Sequence, residues 1–234
     1  MKPKISALAI ALLLCFSATA QSMRTPTAAE KTALMKVINP INQNTNQFLD
    51  NNWEETEGFD ETAMDVPNST RSQLRTGYLV TLKIKEGSPL YKKLMEPVLR
   101  FMKENKNDSL QVAYAAWQKQ SVIHIDIAVN DGVVALGSLP DKIQKLNIPG
   151  VAKAFIVAED NNTPRRNGAF VLAFGHWENA KYNPGNDCYN FKYVHPPGTP
   201  FIENVVIEIY GNTERINEIV KQCDWSKVTA GLYQ

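Results

Sequence analysis

Apolar residues recur every three or four positions in several stretches of the chain, a spacing that predicts amphipathic helices. The first stretch covers residues 27–48, where Thr27 and Glu30 form a capping box and Pro40 predicts a kink or a break into two helices. A second and broader stretch occupies residues 88–102, and two short ones lie near the C-terminus. The chain is therefore predicted to begin with a helical segment and to carry further helices between strands.

Other stretches alternate apolar and polar residues, which predicts β-strands with one face in a core. The predicted strands cover residues 78–85, 110–117, 122–129, 133–136, 151–158, 169–177 and 205–210. The sequence Asn130-Asp131-Gly132, which joins two of them, is typical of a tight hairpin turn. Because short loops join neighbouring strands in antiparallel fashion, the sheet is predicted to be mostly antiparallel.

Together these elements predict an α+β fold. We expect a single mature domain over residues 21–234, with a mostly antiparallel sheet, helices packed on one face and an N-terminal helical segment. A chain of 234 residues is also long enough for two sub-domains split near residues 137–150, which is the alternative organisation. Hydrophobic residues make up 44% of the chain, which is ordinary for a protein with a folded core.

The N-terminus has the three-part layout of a secretory signal peptide. Lys2 and Lys4 precede an apolar run over residues 5–16, and Ala18-Thr19-Ala20 forms a cleavage site. Segment 1–20 is therefore predicted to be removed, and the mature protein to be periplasmic or secreted. The apolar run is shorter than the roughly 20 residues that span a bilayer. No later stretch is longer, so the mature chain is predicted to lack a transmembrane segment.

The three cysteines of the sequence bear on both export and stability. Cys15 lies within the predicted signal, and attachment of a lipid to Cys15 is the alternative to cleavage after Ala20. Cleavage leaves Cys188 and Cys223. An even pair in an exported chain predicts a disulfide bond between these two residues, which would tie a long loop at 179–200 to a helix.

Charge and motifs exclude several classes of function. Lys and Arg number 25 against 24 Asp and Glu, so there is no basic excess to predict nucleic-acid binding. The sequence also lacks the GxSxG of esterases, the SxxK of β-lactamases, the HExxH of zinc proteases, the P-loop and the dinucleotide fingerprint GxGxxG. No cofactor is predicted from these signatures, and whether the protein is an enzyme is left open.

Two pairs of polar residues on predicted strands form a candidate metal or acid/base site. His124 and Asp126 share one face of a strand, and His176 and Glu178 have the same spacing at the end of another. Should the two strands be neighbours, the set would suit zinc or another divalent metal, or a general acid/base pair. The alternative is that each pair is simply the solvated face of a half-exposed strand.

The predicted loop at 179–200 and its flanks are rich in aromatic residues, which form a candidate binding surface. The residues are Trp177, Tyr182, Tyr189, Phe191, Tyr193 and His195. Held by a disulfide, they would suit a peptide, a glycan or a small ligand, because aromatic rings give a large contact area with few rotatable bonds. In the alternative, the loop folds these rings back over one end of the core.

These observations favour an exported soluble protein that acts as a non-catalytic binding or envelope-accessory module through this aromatic loop. The alternative is an exported metal-dependent or acid/base hydrolase that uses His124 with Asp126 and His176 with Glu178. Whether the two histidine-containing pairs lie around one cleft distinguishes the two hypotheses.

Overall fold

The structure, a computed structural model, describes residues 22–69, 71–136, 143–157, 168–177, 180–185 and 188–233. Helices account for 36% and strands for 31%, which confirms the α+β class. The predicted signal segment with Cys15, residues 137–142 of the alternative domain boundary, and Glu178 lie outside the described residues.

Five α-helices occur in the described residues: α1 (Ala28–Thr45), α2 (Pro89–Lys103), α3 (Asn107–Gln120), α4 (Thr213–Gln222) and α5 (Ser226–Gly231). The predicted capping box begins α1, because Thr27 Oγ1 accepts from the Glu30 amide and Glu30 Oε2 accepts from the Thr27 amide. Ser88 caps α2 in the same way, by accepting from the Tyr91 amide at 3.1 Å. Pro40 does not divide the first helix, since α1 runs through it as one element.

The described residues also form twelve strands: β1 (Met23–Arg24), β2 (Trp53–Glu57), β3 (Val66–Pro67), β4 (Thr76–Ile84), β5 (Val122–Val129), β6 (Val133–Ala135), β7 (Ile143–Leu146), β8 (Lys153–Val157), β9 (Phe170–Gly175), β10 (Lys181–Asn183), β11 (Cys188–Asn190) and β12 (Asn204–Gly211). The main sheet has the order β2-β4-β5-β12-β9-β8-β7, a small sheet has the order β10-β11-β6, and β1 pairs with β3. All these pairings are antiparallel, as predicted. Strands from both sides of residues 137–150 belong to the main sheet.

Helices cover the first face of the main sheet. On β5, Ile123, Ile125 and Ile127 point to this face and are at most 2% exposed, as the alternation in the sequence predicts. Helices α1, α4 and α5 bury their apolar residues in the same core. Helix α2 contacts this core only through partly buried residues near its start, such as Leu90 and Leu94.

The second face of the main sheet is divided into two halves. Over β8, β9 and β12, a second hydrophobic cluster joins Phe155, Val171 and Val206 to Trp177 and Phe191. The small sheet lies on this half, because Val134 of β6 and Tyr189 of β11 belong to the same cluster. On β2, β4 and β5, the second face carries polar residues instead.

One strand prediction is wrong, because residues 110–117 belong to helix α3. Leu110, Ala113 and Trp117 are spaced by three and four residues and are half-buried, whereas Val112 is 72% exposed. The stretch therefore follows the helical period and not the period of two. No helix in the described parts of the chain is long and apolar enough to cross a membrane.

The predicted disulfide bond is not formed, since Cys188 and Cys223 are both free and buried. Cys188 lies on β11 in the small sheet, where its sulfur contacts the Asn190 side chain. Cys223 ends α4 in the helix-covered core, and its thiol donates to the Asn44 carbonyl at 3.6 Å. The main sheet separates the two residues, because the small sheet and the helices pack on its opposite faces.

Candidate functional site

His124 lies on the open polar half of the second face, in a row that crosses four strands. Strand register places Thr81 and Tyr210 on either side of His124, and Glu57 beyond Thr81. The Thr81 hydroxyl donates to Glu57 Oε2 at 3.2 Å, and its oxygen lies 3.3 Å from His124 Nδ1. The imidazole stacks on the Tyr210 ring with centroids 5.0 Å apart.

This row determines the tautomer of His124. A carboxylate can only accept, so the single proton of the Thr81 hydroxyl is directed to Glu57 and the hydroxyl oxygen accepts from Nδ1–H of His124. That tautomer leaves Nε2 as an acceptor. Burial lowers the pKa of His124, while the nearby carboxylates of Asp126 and Glu57 oppose this change. His124 is therefore a neutral imidazole at pH 7 with one nitrogen able to take a proton.

The structure does not bring the two predicted histidines together. Tyr210 of β12 pairs with His124, whereas Asn204, six residues earlier on the same strand, pairs with Gly175, the residue before His176. Six extended residues span about 20 Å, so the two histidines lie at opposite ends of β12. Among the residues that the structure describes, no group of three or more His, Cys, Asp or Glu side chains could hold a metal ion. A zinc site at His124 and Asp126 therefore stays a prediction, and His176 does not lie beside these residues.

Part of the aromatic segment is a core element. Trp177 is fully buried, and its indole N–H donates to the Phe174 carbonyl at 2.9 Å. The Phe191 ring meets the Trp177 ring edge-on at 4.9 Å and is 8% exposed. These two residues therefore pack under the small sheet, which is the folded-back arrangement. The half-buried Tyr182 and Tyr189, whose ring centroids lie 5.3 Å apart, are closer to the surface.

The remaining two aromatic candidates, Tyr193 and His195, belong to a buried polar network. Glu203, only 3% exposed, accepts from the Val194 amide at 2.7 Å and from the His195 amide at 3.0 Å. The Tyr193 hydroxyl donates to the Asn130 carbonyl, and the His195 ring packs against two further aromatic rings. Hydrogen bonds to a buried carboxylate thus hold the segment that the disulfide was expected to hold.

Asn130 is the centre of this network, and sequence reasoning recognised it only as a turn residue. Its side-chain amide donates to the carbonyls of Leu74 and Phe201, and its oxygen accepts from the amides of Glu203 and Asn204. The backbone of Asn130 has a φ of 52°, the left-handed conformation that the turn signal implies. The sequence carries no signal for the role of Glu203, because a single carboxylate just before a predicted strand is usually solvated.

A third region, which the sequence predicted as an amphipathic helix followed by a strand, is the hairpin of α2 and α3. Val98 is the only buried residue of α2, and α3 has none. Leu99 and Met102 are 47% and 55% exposed although α2 has a broad apolar face. The hairpin also has a net positive charge, with six Lys and Arg against three Asp and Glu over residues 89–120.

Comparisons with known proteins add no family to this description. No family model matches the chain, and no curated protein or solved structure matches it at a significant level. Function therefore has to be argued from the three regions above.

Proposed function

We propose that the protein is an exported, non-catalytic binding or envelope-accessory module, and that its binding surface is the α2–α3 hairpin. The observation that carries this proposal is the exposure of Leu99 and Met102 on a helix that uses only Val98 for full burial. The proposal keeps the class of function that the sequence favours and moves the binding surface away from the aromatic segment.

The apolar face of α2 includes more residues than the fold buries. Leu94 and Val98 point inward, where Leu94 packs on the helix-covered core and Val98 is 2% exposed. Met95, Leu99 and Met102 follow one another at spacings of four and three residues and so line the adjacent side of the helix. Large apolar residues grouped on an exposed surface are typical of interaction sites, whereas single ones are ordinary.

The aromatic segment supports binding less well. Trp177 and Phe191 are in the second hydrophobic cluster, and Tyr193 and His195 are engaged in the network around Glu203. A ligand could reach those rings only after the small sheet or the network opened. The hairpin needs no such rearrangement.

One observation favours the alternative, an acid/base hydrolase centred on His124 with Asp126. The Thr81–His124 hydrogen bond occupies Nδ1–H, so Nε2 of the neutral imidazole is the acceptor, which is the state that a general base requires. A panel of chromogenic esters, phosphoesters and glycosides tests it directly. Hydrolysis by the purified protein that His124→Gln abolishes would establish this alternative in place of the binding proposal.

The binding proposal is tested with a photo-crosslinking amino acid, benzoylphenylalanine, placed at Leu99 of the full chain in cells that produce the protein. The matched control carries the same probe at Val194, which is 76% exposed and belongs to the aromatic segment. We expect covalent adducts, protein or lipid, at position 99 and none at position 194. Adducts at Val194 alone would return the binding surface to the aromatic segment, and the absence of adducts at Leu99 would refute the hairpin.

A further inference from the structure

We infer that the occupant of the exposed side of α2 is a lipid surface rich in anionic headgroups. This inference rests on the proposed function, because it names the partner of the same hairpin. Three properties of α2 and its surroundings carry it: the shape of the apolar strip, the residues that border it, and the distribution of charge over the chain.

The apolar strip suits a flat apolar boundary. Met95, Leu99 and Met102 extend over the middle and end of a helix of 15 residues, about 22 Å long. An amphipathic helix that lies in the plane of a bilayer buries such a strip a few ångströms below the headgroups. Helix α2 presents such a strip while it remains part of the folded domain, because its other apolar side packs on the core through Leu90 and Leu94.

Basic side chains border the strip on its solvent side. Lys92 and Lys103 are three and four residue positions from strip members, and Arg100 follows directly after Leu99. All three basic residues are exposed. Long basic side chains beside an apolar strip can lay their methylene groups on it and raise their charges to the level of the phosphates.

The lysine content of this surface favours a lipid partner over a protein partner. Centres of protein interfaces are depleted in Lys, whereas aromatic residues, Met and Arg are enriched in them. Here Lys92 and Lys103 lie beside flexible Met and Leu side chains, and Arg100, Glu96 and Glu104 complete the border of the strip. A fluid lipid surface tolerates such flexible residues, whereas a close-packed protein interface would have to order them.

Charge over the whole chain would orient the hairpin toward an anionic surface. Residues 89–120 carry six Lys and Arg against three Asp and Glu, and the rest of the predicted mature chain carries seventeen against twenty-one. The hairpin is therefore positive on a negatively charged body. An anionic bilayer attracts the hairpin and repels the remainder, and this attraction weakens with added salt.

The test is co-sedimentation of the mature protein, residues 21–234, with vesicles of phosphatidylglycerol and phosphatidylcholine in equal amounts, compared with pure phosphatidylcholine vesicles. We expect binding to the anionic vesicles only, and less of it at high salt. Leu99→Ser combined with Met102→Ser should reduce the partition constant roughly tenfold, because two half-exposed apolar side chains lose their burial in lipid.

The charge contribution is tested with a second pair of variants. Arg100→Gln combined with Lys103→Gln should reduce binding at low salt about tenfold or more and flatten its salt dependence. Matched controls remove the same number of apolar or basic groups elsewhere: Val194→Ser combined with Met23→Ser, which are 76% and 52% exposed, and Lys181→Gln combined with Lys192→Gln. Each control should bind within about twofold of the parent protein. Melting temperatures of all variants report whether the fold is intact.

The outcomes separate the lipid inference from the proposed function. Unchanged binding by the hairpin variants, equal losses in the controls, or equal binding to neutral vesicles would each overturn the lipid inference. A protein partner, or a second copy of this chain, cross-linked at Leu99 without any vesicle binding would overturn it as well while the hairpin stands as a binding surface. If the protein neither bound vesicles nor formed an adduct at Leu99, both the lipid inference and the proposed function would be overturned.

Discussion

Replacement of Asn130 by alanine should destabilise the protein more than any other single polar substitution in the buried polar network around Glu203. The side chain is fully buried and makes four hydrogen bonds, all with backbone groups of other segments. Those segments are the approach to β4 and the start of β12. Asn130→Ala removes all four of these bonds and leaves the four backbone groups without the partner that Asn130 supplies.

The magnitude follows from the bonds and the backbone conformation. Four lost hydrogen bonds at about 1 kcal/mol each cost about 4 kcal/mol. An alanine at the observed φ of 52° adds about 1 kcal/mol of strain, because it lacks the short polar side chain that lets asparagine tolerate the left-handed region. Asn130→Ala should therefore cost about 5 kcal/mol, a large part of the roughly 5–15 kcal/mol that stabilise a typical domain.

Two further variants separate the two contributions. Asn130→Gly loses the hydrogen bonds but tolerates the backbone conformation, so it should cost about 1 kcal/mol less than Asn130→Ala. Asn105 has almost the same φ, 53°, but is exposed in the turn between α2 and α3. Asn105→Ala should therefore show the strain alone, about 1 kcal/mol.

Urea unfolding followed by tryptophan fluorescence measures these differences, because Trp53, Trp177 and Trp225 are almost fully buried and report the loss of the core. Hydrogen exchange should in addition show that the amides of Val194 and His195 lose protection first in the Asn130 variants. If Asn130→Ala lost no more free energy of unfolding than Asn105→Ala, the network would not stabilise the fold and the reasoning would be refuted.

Two other predictions concern ionisable groups. A protein of residues 21–234, which lacks Cys15, should show two reactive thiols when denatured without reductant, because Cys188 and Cys223 are free. In the folded protein the thiol of Cys223 should resist alkylation at pH 8, because burial raises its pKa to about 12; a single disulfide found by intact mass would contradict this. Glu30→Gln should cost about 1 kcal/mol at pH 7, a value that allows for the partial exposure of the ion pair, because the Arg24 guanidinium lowers the pKa of Glu30 to about 2. Since a lowered carboxyl pKa stabilises the fold above the unfolded pKa, the difference from the parent should shrink as pH falls below about 4.5 and vanish below pH 2; a difference of full size at pH 2 would show that the ion pair is not its cause.

Prediction from sequence worked best where the deciding contacts are local. The Thr27–Glu30 capping box, the Ser88 cap and the left-handed turn at Asn130 are formed by residues within three positions of one another. The hairpin predicted at this turn is wrong, because β5 pairs with β4 and β12 whereas β6 pairs with β11 of the small sheet. Alternation along β5 likewise depends only on neighbours in the chain. Local propensity was ambiguous at residues 110–117, where apolar residues fit both periods and the packing of α3 against α2 selects the helix.

The candidate site was harder, because its geometry depends on strand order. Alternation predicts that His124 and Asp126 share a face, but it cannot show that β12 lies between β5 and β9. That order places Tyr210 beside His124 and leaves His176 at the far end of β12. A residue spacing within one strand carries no information about which strand lies next to it.

By itself, then, the sequence determined the secondary-structure elements whose contacts are local, the antiparallel α+β class and the charge of the hairpin. Only the tertiary structure decided that Cys188 and Cys223 lie on opposite faces of the main sheet, that Trp177 is core, and that Leu99 stays exposed. The physical reason is that burial depends on what the rest of the chain places against a side chain. An apolar face on a helix indicates which side chains can be buried. How many of them are buried depends on the core that covers the helix, and residues far away in the sequence form that core.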